Sequence, residues 1–397
     1  MTPSKKSVRT RSRVEKTRIS PNKFEQFVNS HDIKSNCPFF GVYYLRNSEK
    51  EVYTNITEGE KEITGRSFIS DYEARLSPYA ARESLSRGRE KPQEASPLRG
   101  EYQRDRDRII HSKSFRRLIH KTQVFIAPEG EHYRTRLTHT LEVTGIARTI
   151  ARSLGLNEDL AEASALGHDL GHTPFGHIGE SALRECYSKD FSHYAQSLRV
   201  VDRLERDGAG LNLMWEVRDA IYNHQGENQA ATLEGRILKF ADRIAYVNHD
   251  IDDAVRAGIL KESDLPAEFN EILGTNHSER INTMVESVVS ATNRMSGDGI
   301  FAVAMEDEVG KAADSLRRFL FERVYYSREV LAEEKRAKEL IFRLFEHYCQ
   351  NPGAMPDFYN SYDDPVERRV CDFISGMTDR LAISVYSELT IPRGWNG

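Results

Sequence analysis

Gly167-His168-Asp169-Leu170-Gly171-His172-Thr173-Pro174-Phe175-Gly176-His177-Ile178-Gly179-Glu180 sets five ionisable side chains among four glycines and a proline. His168 and Asp169 offer an imidazole and a carboxylate from adjacent backbone positions. That donor pair suits a divalent ion of the Mg, Mn, Fe or Zn kind, chosen by geometry more than by affinity. The glycines and the proline stop a helix and let the backbone approach a bound group closely. His172, His177 and Glu180 return to the same neighbourhood, where they can titrate or donate hydrogen bonds. An ordinary solvated loop has no need of that density.

A metal needs more than two protein ligands, so distant parts of the chain must supply the rest. Upstream, Arg136-Leu137-Thr138-His139 opens a segment with apolar residues at Leu141, Val143, Ile146, Ala147, Ile150 and Leu154. His139 shares a stripe with Val143, Ile146 and Ile150 at helical spacing, which predicts an inward-facing imidazole. Downstream, a second helical pattern runs from Leu233 to Val255 and carries Asp242 on a stripe with Leu238 and Ala245. A carboxylate there needs a partner, because an unpaired buried charge is costly. Taken singly, His139 reads equally well as a capped core histidine and Asp242 as half of a buried salt bridge. Taken together, the H…HD…D series favours a metal.

Other stretches stand in order around that series. They are Leu76-Ser77-Pro78-Tyr79-Ala80-Ala81-Arg82, Gln103 to Ser112, Phe115-Arg116-Arg117-Leu118, Lys121-Thr122-Gln123-Val124-Phe125, His132 to His139, Ala195-Gln196-Ser197-Leu198-Arg199 and Gly376-Met377-Thr378-Asp379-Arg380. With them, the chain from about residue 76 onward resembles the HD-domain metal-dependent phosphohydrolases. It is similar in detail to the bacterial dGTPase-like deoxynucleoside triphosphate triphosphohydrolases. Several motifs in the right order make the resemblance specific.

The helical periodicity from 101 onward predicts a mostly α fold. The resemblance makes it an HD-domain helical phosphohydrolase core with additional C-terminal helices and a small N-terminal extension of β character. The expected organisation is a disordered basic tail over 1–23, an extension with a hairpin over 24–82, and a linker over 83–100. A metal-binding catalytic core over 101–260 and a helical region packed on it over 261–397 follow. The hairpin rests on β-prone Phe39, Phe40, Val42, Tyr43, Tyr44 and Leu45, then Val52, Tyr53 and Ile56, around Asn47-Ser48-Glu49-Lys50. Asn157 reads as a helix N-cap and Gly155 as the end of the helix before it.

The formal charge is −5 over 397 residues, yet residues 1–23 hold eight Lys/Arg against one Glu. A polyanionic substrate must therefore meet a local positive site and not the field of the whole protein. Cys37, Cys186, Cys349 and Cys371 lack CxxC spacing and read as free thiols in a reducing compartment. No apolar run reaches membrane-spanning length and no signal-peptide core follows the basic start, so a cytoplasmic protein without membrane contact is expected.

The resemblance implies His139, His168, Asp169 and Asp242 as metal ligands and His177 with Glu180 as a catalytic pair. It implies water attack at the α-phosphorus of a dNTP, dGTP or several of the four, giving a deoxynucleoside and inorganic triphosphate. A divalent metal (Mg, Mn, Fe or similar) neutralises phosphoryl charge and lowers the pKa of bound water. The triphosphate carries several negative charges, so donors are needed around it: Arg136, His172, His193 and Arg243, with Lys113, Arg116, Arg117 and Lys121 as a further basic set. About half of that set is expected to be a solvated helix face. Asp242, Tyr246 and Asp250 lie four residues apart on one helix face. By resemblance Tyr246 packs on deoxyribose, Asp250 accepts from the 3′-hydroxyl, Gln123 is another sugar contact, and His224 sits near the base. A homo-oligomer, hexamer or tetramer, is implied too, with a dNTP effector at a second site as an open option. Two alternatives stand beside this reading. One is an HD phosphohydrolase of a nucleoside monophosphate or phosphodiester. The other is a single-stranded nucleic-acid-binding protein that uses the basic tail.

Overall fold

The computed structural model describes residues 65–123, 134–325 and 328–392, together with Thr17–Arg18 and Glu51–Val52. The chain divides into two units, Met1–Ile63 and Thr64–Gly397. In the first, Thr17–Arg18 pairs antiparallel with Glu51–Val52, Thr17 opposite Val52. The hairpin expected over 38–56 otherwise lies outside the described residues, as does most of the basic tail.

The second unit is helical among its described residues, as the periodicity predicts. Its helices are α1 (Gly65–Glu73), α2 (Glu101–Ile110), α3 (Lys113–Arg117), α4 (Arg136–Ser153), α5 (Glu158–Gly167), α6 (His177–Cys186), α7 (His193–Arg199) and α8 (Trp215–Asn223). There follow α9 (Leu233–Arg256), α10 (Ala267–Leu273), α11 (His277–Gly297), α12 (Asp307–Leu320) and α13 (Arg328–Gln350). The last three are α14 (Asp357–Asn360), α15 (Val366–Ser375) and α16 (Asp379–Thr390).

Side-chain caps set the starts of the helices that matter most. Thr135, Asn157, Ser192, Thr232 and Thr378 each accept from a backbone N–H three residues on, at the heads of α4, α5, α7, α9 and α16. Each such cap satisfies one of the amides that a helix start leaves unpaired, for about 1 kcal/mol. Gly155 closes α4 in the left-handed region (φ 64), and the Leu156 amide reaches back to the Ala151 carbonyl at 2.8 Å. Both readings from sequence, the Asn157 cap and the Gly155 stop, hold.

Helix α9 is the axis of the unit. It packs against α4, α5, α8, α11 and α12, which is why apolar residues occupy most of its circumference. Ile237, Leu238, Ile244 and Val247 are fully buried there, with Val143 and Ile150 of α4. Burying each such side chain contributes roughly 1.5–3 kcal/mol. A second cluster joins α2, α5 and α8 through Tyr102, Ile109, Leu160, Val217 and Ile221. The third joins α6 to α13 and α15 through Leu183, Ile341, Leu344, Val370 and Ile374.

Buried carboxylates tie the surrounding segments to this frame. Glu234 in the first turn of α9 accepts from the amides of Ala81 and Asn157, both at 2.9 Å. Residues 83–100 run over the body of the unit, where the Arg89 guanidinium pairs with Glu101 and Asp105 and donates to the Asn212 carbonyl at 2.7 Å. Asp372 of α15 gathers Gln196, Arg199 and Arg368. These contacts account for much of the motif set, because the residues concerned fix segments in place and do not reach the centre of the site.

Candidate active site

Helices α4, α5 and α9 converge on one buried point. His139 lies one turn into α4, His168 and Asp169 follow directly after α5, and Asp242 lies midway along α9. All four are buried. His139 Nε2 is 3.1 Å from Asp242 Oδ1, and His168 Nε2 is 3.5 Å from Asp169 Oδ1 and 3.9 Å from Asp242 Oδ1. The stripe logic that placed His139 and Asp242 inward is thus met in space.

The donor chemistry of this cluster calls for a cation. His168 Nδ1 lies 2.6 Å from the Ala165 carbonyl, which can only accept, so that nitrogen carries the hydrogen. The Nε2 lone pair is then buried without a hydrogen-bond partner and faces carboxylate oxygens. Acceptors turned on acceptors in a dry site are costly unless a positive charge lies between them. Two imidazoles and two carboxylates are a fitting set for a divalent metal. Burial alone would raise the Asp242 carboxyl, but the hydrogen bond and charge of His139 outweigh it and hold it low. The same contest at Asp169, settled by His168 and Arg136, leaves it well below the usual carboxylate range. His139 is raised: burial opposes its charge, but the Asp242 carboxylate prevails. Behind it, His139 Nδ1 is 2.8 Å from His249 Nε2, a buried contact that fixes the ring's orientation.

Arg136 places a buried positive charge beside this cluster. Its guanidinium is buried and donates to Asp169 Oδ2 at 2.8 Å, while Nε and Nη2 find no partner. Gly176 makes room for it: a Cβ there would come within 2.7 Å of Arg136 Nη2. The turn before α6 is tight, with Phe175 and Gly176 both at φ 61. Left-handed backbone at a phenylalanine costs on the order of 1–3 kcal/mol and persists only where its surroundings impose it. Here the Phe175 ring is buried in the α6–α13 cluster and its amide donates to Asp379 Oδ1 at 3.0 Å. Gly171 allows an equally close approach, because a Cβ would fall 2.1 Å from the Ser197 amide nitrogen. Ser197 Oγ accepts from the Gly171 N–H and donates to the His168 carbonyl.

The turn delivers a second cluster. His177 Nδ1 is 3.6 Å from Glu180 Oε2, so the expected pair is in reach, and His177 is 69% exposed. Glu180 is not reserved for it, however. Its Oε2 also lies 2.9 Å from His193 Nδ1, and Arg184 donates to Oε1 at 2.6 Å. Burial would raise the Glu180 carboxyl, but the imidazoles of His177 and His193 beside it hold it far below normal. His172 stacks flat on His193, ring centroids 4.1 Å apart. Burial and the nearby Arg136 charge press His172 well below its ordinary value, which keeps it neutral.

Other expected residues sit differently. Arg243 is not brought to the cluster; its guanidinium pairs with Asp314 of α12. Consecutive helical residues point about 100° apart, so adjacency to a ligand on a helix argues against a shared target. Lys121 is buried and donates to the carbonyls of His172 and Ser375, which makes it a clamp between the turn and α15. Lys113 pairs with Asp207 in solvent, Arg116 is exposed, and Arg117 donates to Ser114 Oγ. Gln123 keeps a buried Oε1 without a partner. Tyr246 is half-buried on α9, with the Arg317 guanidinium 5.7 Å from its ring centre. Asp250 is buried, with Oδ1 2.7 Å from His249 Nδ1. His224 lies closer to the centre than its place in the sequence suggested: its Nε2 is 3.3 Å from His193 Nε2, and its ring meets that of His168 edge-on at 5.1 Å.

An HD domain model matches residues 136–247, which include His139, His168, Asp169 and Asp242, and a phosphohydrolase-associated domain model matches residues 303–388. A protein of Caldanaerobacter subterraneus subsp. tengcongensis is 53% identical over 322 residues, 81% of this chain and 94% of its own length. One of Desulfatibacillum aliphaticivorans is 47% identical, covering 80% of this chain and 95% of its own. A third, of Clostridium perfringens, is 47% identical, with 83% and 98% covered. Each is named a deoxyguanosinetriphosphate triphosphohydrolase-like protein. This chain belongs to the deoxyguanosinetriphosphate triphosphohydrolase-like family of HD-domain phosphohydrolases.

Proposed function

We propose that the protein hydrolyses deoxynucleoside triphosphates to the deoxynucleoside and inorganic triphosphate, with His139, His168, Asp169 and Asp242 holding a divalent metal (Mg, Mn, Fe or similar). One observation carries the proposal. A buried, unpartnered donor (Arg136 Nε and Nη2) and a buried, unpartnered acceptor (His168 Nε2) flank the same carboxylate, Asp169. That pairing suits a cation and a phosphate side by side. The metal would supply positive charge at the phosphoryl group and acidify water. Residues 101–260 form the catalytic core in this reading and 261–397 its support.

The chain's own groups divide the remaining work. Arg136 clamps phosphate oxygens through the nitrogens that Asp169 leaves free. His172, kept neutral, can donate to a further oxygen, and His193, with Nδ1 turned to Glu180, lies stacked behind it. Attack at the α-phosphorus breaks its bond to the 5′-oxygen, and that departing alkoxide needs a proton. His177, exposed at the mouth and oriented by Glu180, is placed to give one. Glu180 at the same time fixes the tautomer of His193.

Sugar selection falls to the α9 face. Tyr246 and Asp250 follow Asp242 by one and two turns, about 6 Å per step along the axis. Tyr246 is then placed to meet the sugar, Asp250 its 3′-hydroxyl, and the buried oxygen of Gln123 a further hydroxyl. A 2′-hydroxyl pressed on the ring without a partner costs on the order of 1–3 kcal/mol. Ribonucleotides should therefore be poor substrates, and Tyr246→Ala should narrow the gap. Asp250→Asn should weaken dNTPs more than dideoxy analogues. Rates for the four dNTPs, singly and in pairs, beside the matching rNTPs test both points, and the pairs also reveal a dNTP effector. Equal turnover of GTP and dGTP would remove the sugar-reading role from this face.

Assembly as a hexamer or tetramer is part of the same proposal, as is a cytoplasmic location. Among the described residues no helix is long and apolar enough to cross a membrane. Single-stranded DNA binding through the basic tail remains a second reading, separable by its steep salt dependence and its loss on deleting residues 1–23.

A further inference from the structure

We propose that a cavity between α3 and the chain segments of α14 and α15 binds a phosphate-class oxyanion, held between Arg117 and Lys121. The site lies outside the H…HD…D cluster and does not depend on the reaction proposed above.

The cavity has a volume of about 220 Å³ and is walled by α3, Leu170, the turn Val200–Leu204, Tyr359 and Gly376. Arg117, Lys121 and Gly376 come from three of the stretches that stand out in the sequence, and the chemistry of the first site uses none of them. A Cβ at Gly376 would come within 3.0 Å of the Tyr359 hydroxyl, so the glycine leaves room for that group. Lys121 also donates to the His172 carbonyl, which puts the cavity directly behind the turn that carries His172.

The charges around the cavity are unevenly answered. Three carboxylates line it, Glu205, Asp207 and Asp372. Asp207 pairs with Lys113 in solvent, and Asp372 is met by Arg199 and Arg368. Both Glu205 oxygens are taken by the amides of Lys113 and Ser114 and by the Ser114 hydroxyl. Arg117 donates to Ser114 Oγ at 2.9 Å, and Lys121 donates to the carbonyls of His172 and Ser375. Among the described residues neither cation has a carboxylate at ion-pair distance. A guanidinium carries five N–H donors and an ammonium three, so both keep hydrogens for a guest.

Burial, with the Arg117 charge beside it, presses the Lys121 ammonium down to about 7. Two cations sharing a nearly dry cavity without a paired carboxylate are costly, and an oxyanion between them removes that cost. The planar fork of arginine and the point charge of lysine are both phosphate-binding groups. Size decides which phosphate. Pockets for drug-sized ligands run to about 300–1,000 Å³, so this one suits an inorganic anion and not a whole dNTP.

Orthophosphate and inorganic triphosphate are the probes, since either can supply the oxyanion. Each is titrated calorimetrically into full-length wild type, Arg117→Gln and Arg116→Gln, the last an equal charge change at an exposed neighbour. Wild-type crystals grown with arsenate locate the anion through the anomalous scattering of arsenic. The proposal expects arsenate between Arg117 and Lys121. It expects Arg117→Gln to bind orthophosphate about tenfold or more weakly, the loss of one charge-assisted hydrogen bond. Arg116→Gln should bind as the wild type does. Triphosphate held more tightly than orthophosphate, and lost in Arg117→Gln, supports the site and names the product of the proposed reaction as the source. Orthophosphate held more tightly supports it with the free ion as the source. Arsenate found only beside Arg136, or binding unchanged by Arg117→Gln, overturns the site. So does an anion present at crystal concentration that neither titration detects. Should Arg117→Gln fail to fold, the arsenate position in the wild type decides alone.

Discussion

Asp169→Ala should abolish metal retention and turnover together, lowering kcat/KM by on the order of 10³-fold or more, as expected when several kcal/mol of phosphoryl charge stabilisation are lost. Asp169 has the largest expected effect because three groups depend on it. His168 faces one of its oxygens, Arg136 is held by the other, and His172 lies within 3.7 Å. The helices should still assemble, since the three apolar clusters draw on residues elsewhere. Stability should nonetheless fall, because removing one partner of a buried ion pair costs about 3–5 kcal/mol through the charge left behind. Here that charge is Arg136. Asp169→Asn keeps an oxygen for the guanidinium, so it should lose metal to a similar extent but melt closer to the wild type. Bound metal, turnover and thermal unfolding of the two variants check this. Undiminished turnover in Asp169→Ala would remove the residue from the metal site.

His177→Ala is the second large effect, a loss of roughly 100-fold or more in kcat with metal content little changed. His177 stands at the exposed head of α6, in reach of Glu180 but outside the H…HD…D cluster. A group placed to protonate a departing oxygen acts on the chemical step, so its loss appears in kcat. If only KM rose, His177 would be a phosphate contact. Glu180→Gln should do more than Glu180 alone suggests, because the same carboxylate fixes His193 at 2.9 Å. Loss of both imidazole orientations makes its effect at least comparable to that of His177→Ala.

The parts of the site that were legible in sequence are those where local periodicity determines direction. His139 and Asp242 lie on apolar helical stripes, and a polar group on such a stripe has to point inward and be answered there. Asn157 and Gly155 mark helix ends through backbone chemistry that is local as well. The contacts that escaped are those between elements far apart in the chain. Nothing near Asp379 in sequence indicates that its carboxylate holds the Thr122 amide and the strained Phe175 turn. Lys121 belongs to a basic run in the sequence, yet it is buried on two carbonyls. Arg243 is the opposite case, next to Asp242 along the chain but turned by the helix toward Asp314. His224 is expected near the base, and only the packing of α8 on α5 and α7 sets its ring beside those of His168 and His193.

The products of one reaction test the proposed hydrolysis most directly. The protein, loaded with Mn(II), is incubated with dGTP in ¹⁸O-labelled water, and the phosphorus products and the nucleoside are separated and weighed. The prediction is equimolar deoxyguanosine and inorganic triphosphate, with the label in the triphosphate and none in the nucleoside. Orthophosphate with dGDP, or pyrophosphate with dGMP, would place the attack at another phosphorus and contradict the account.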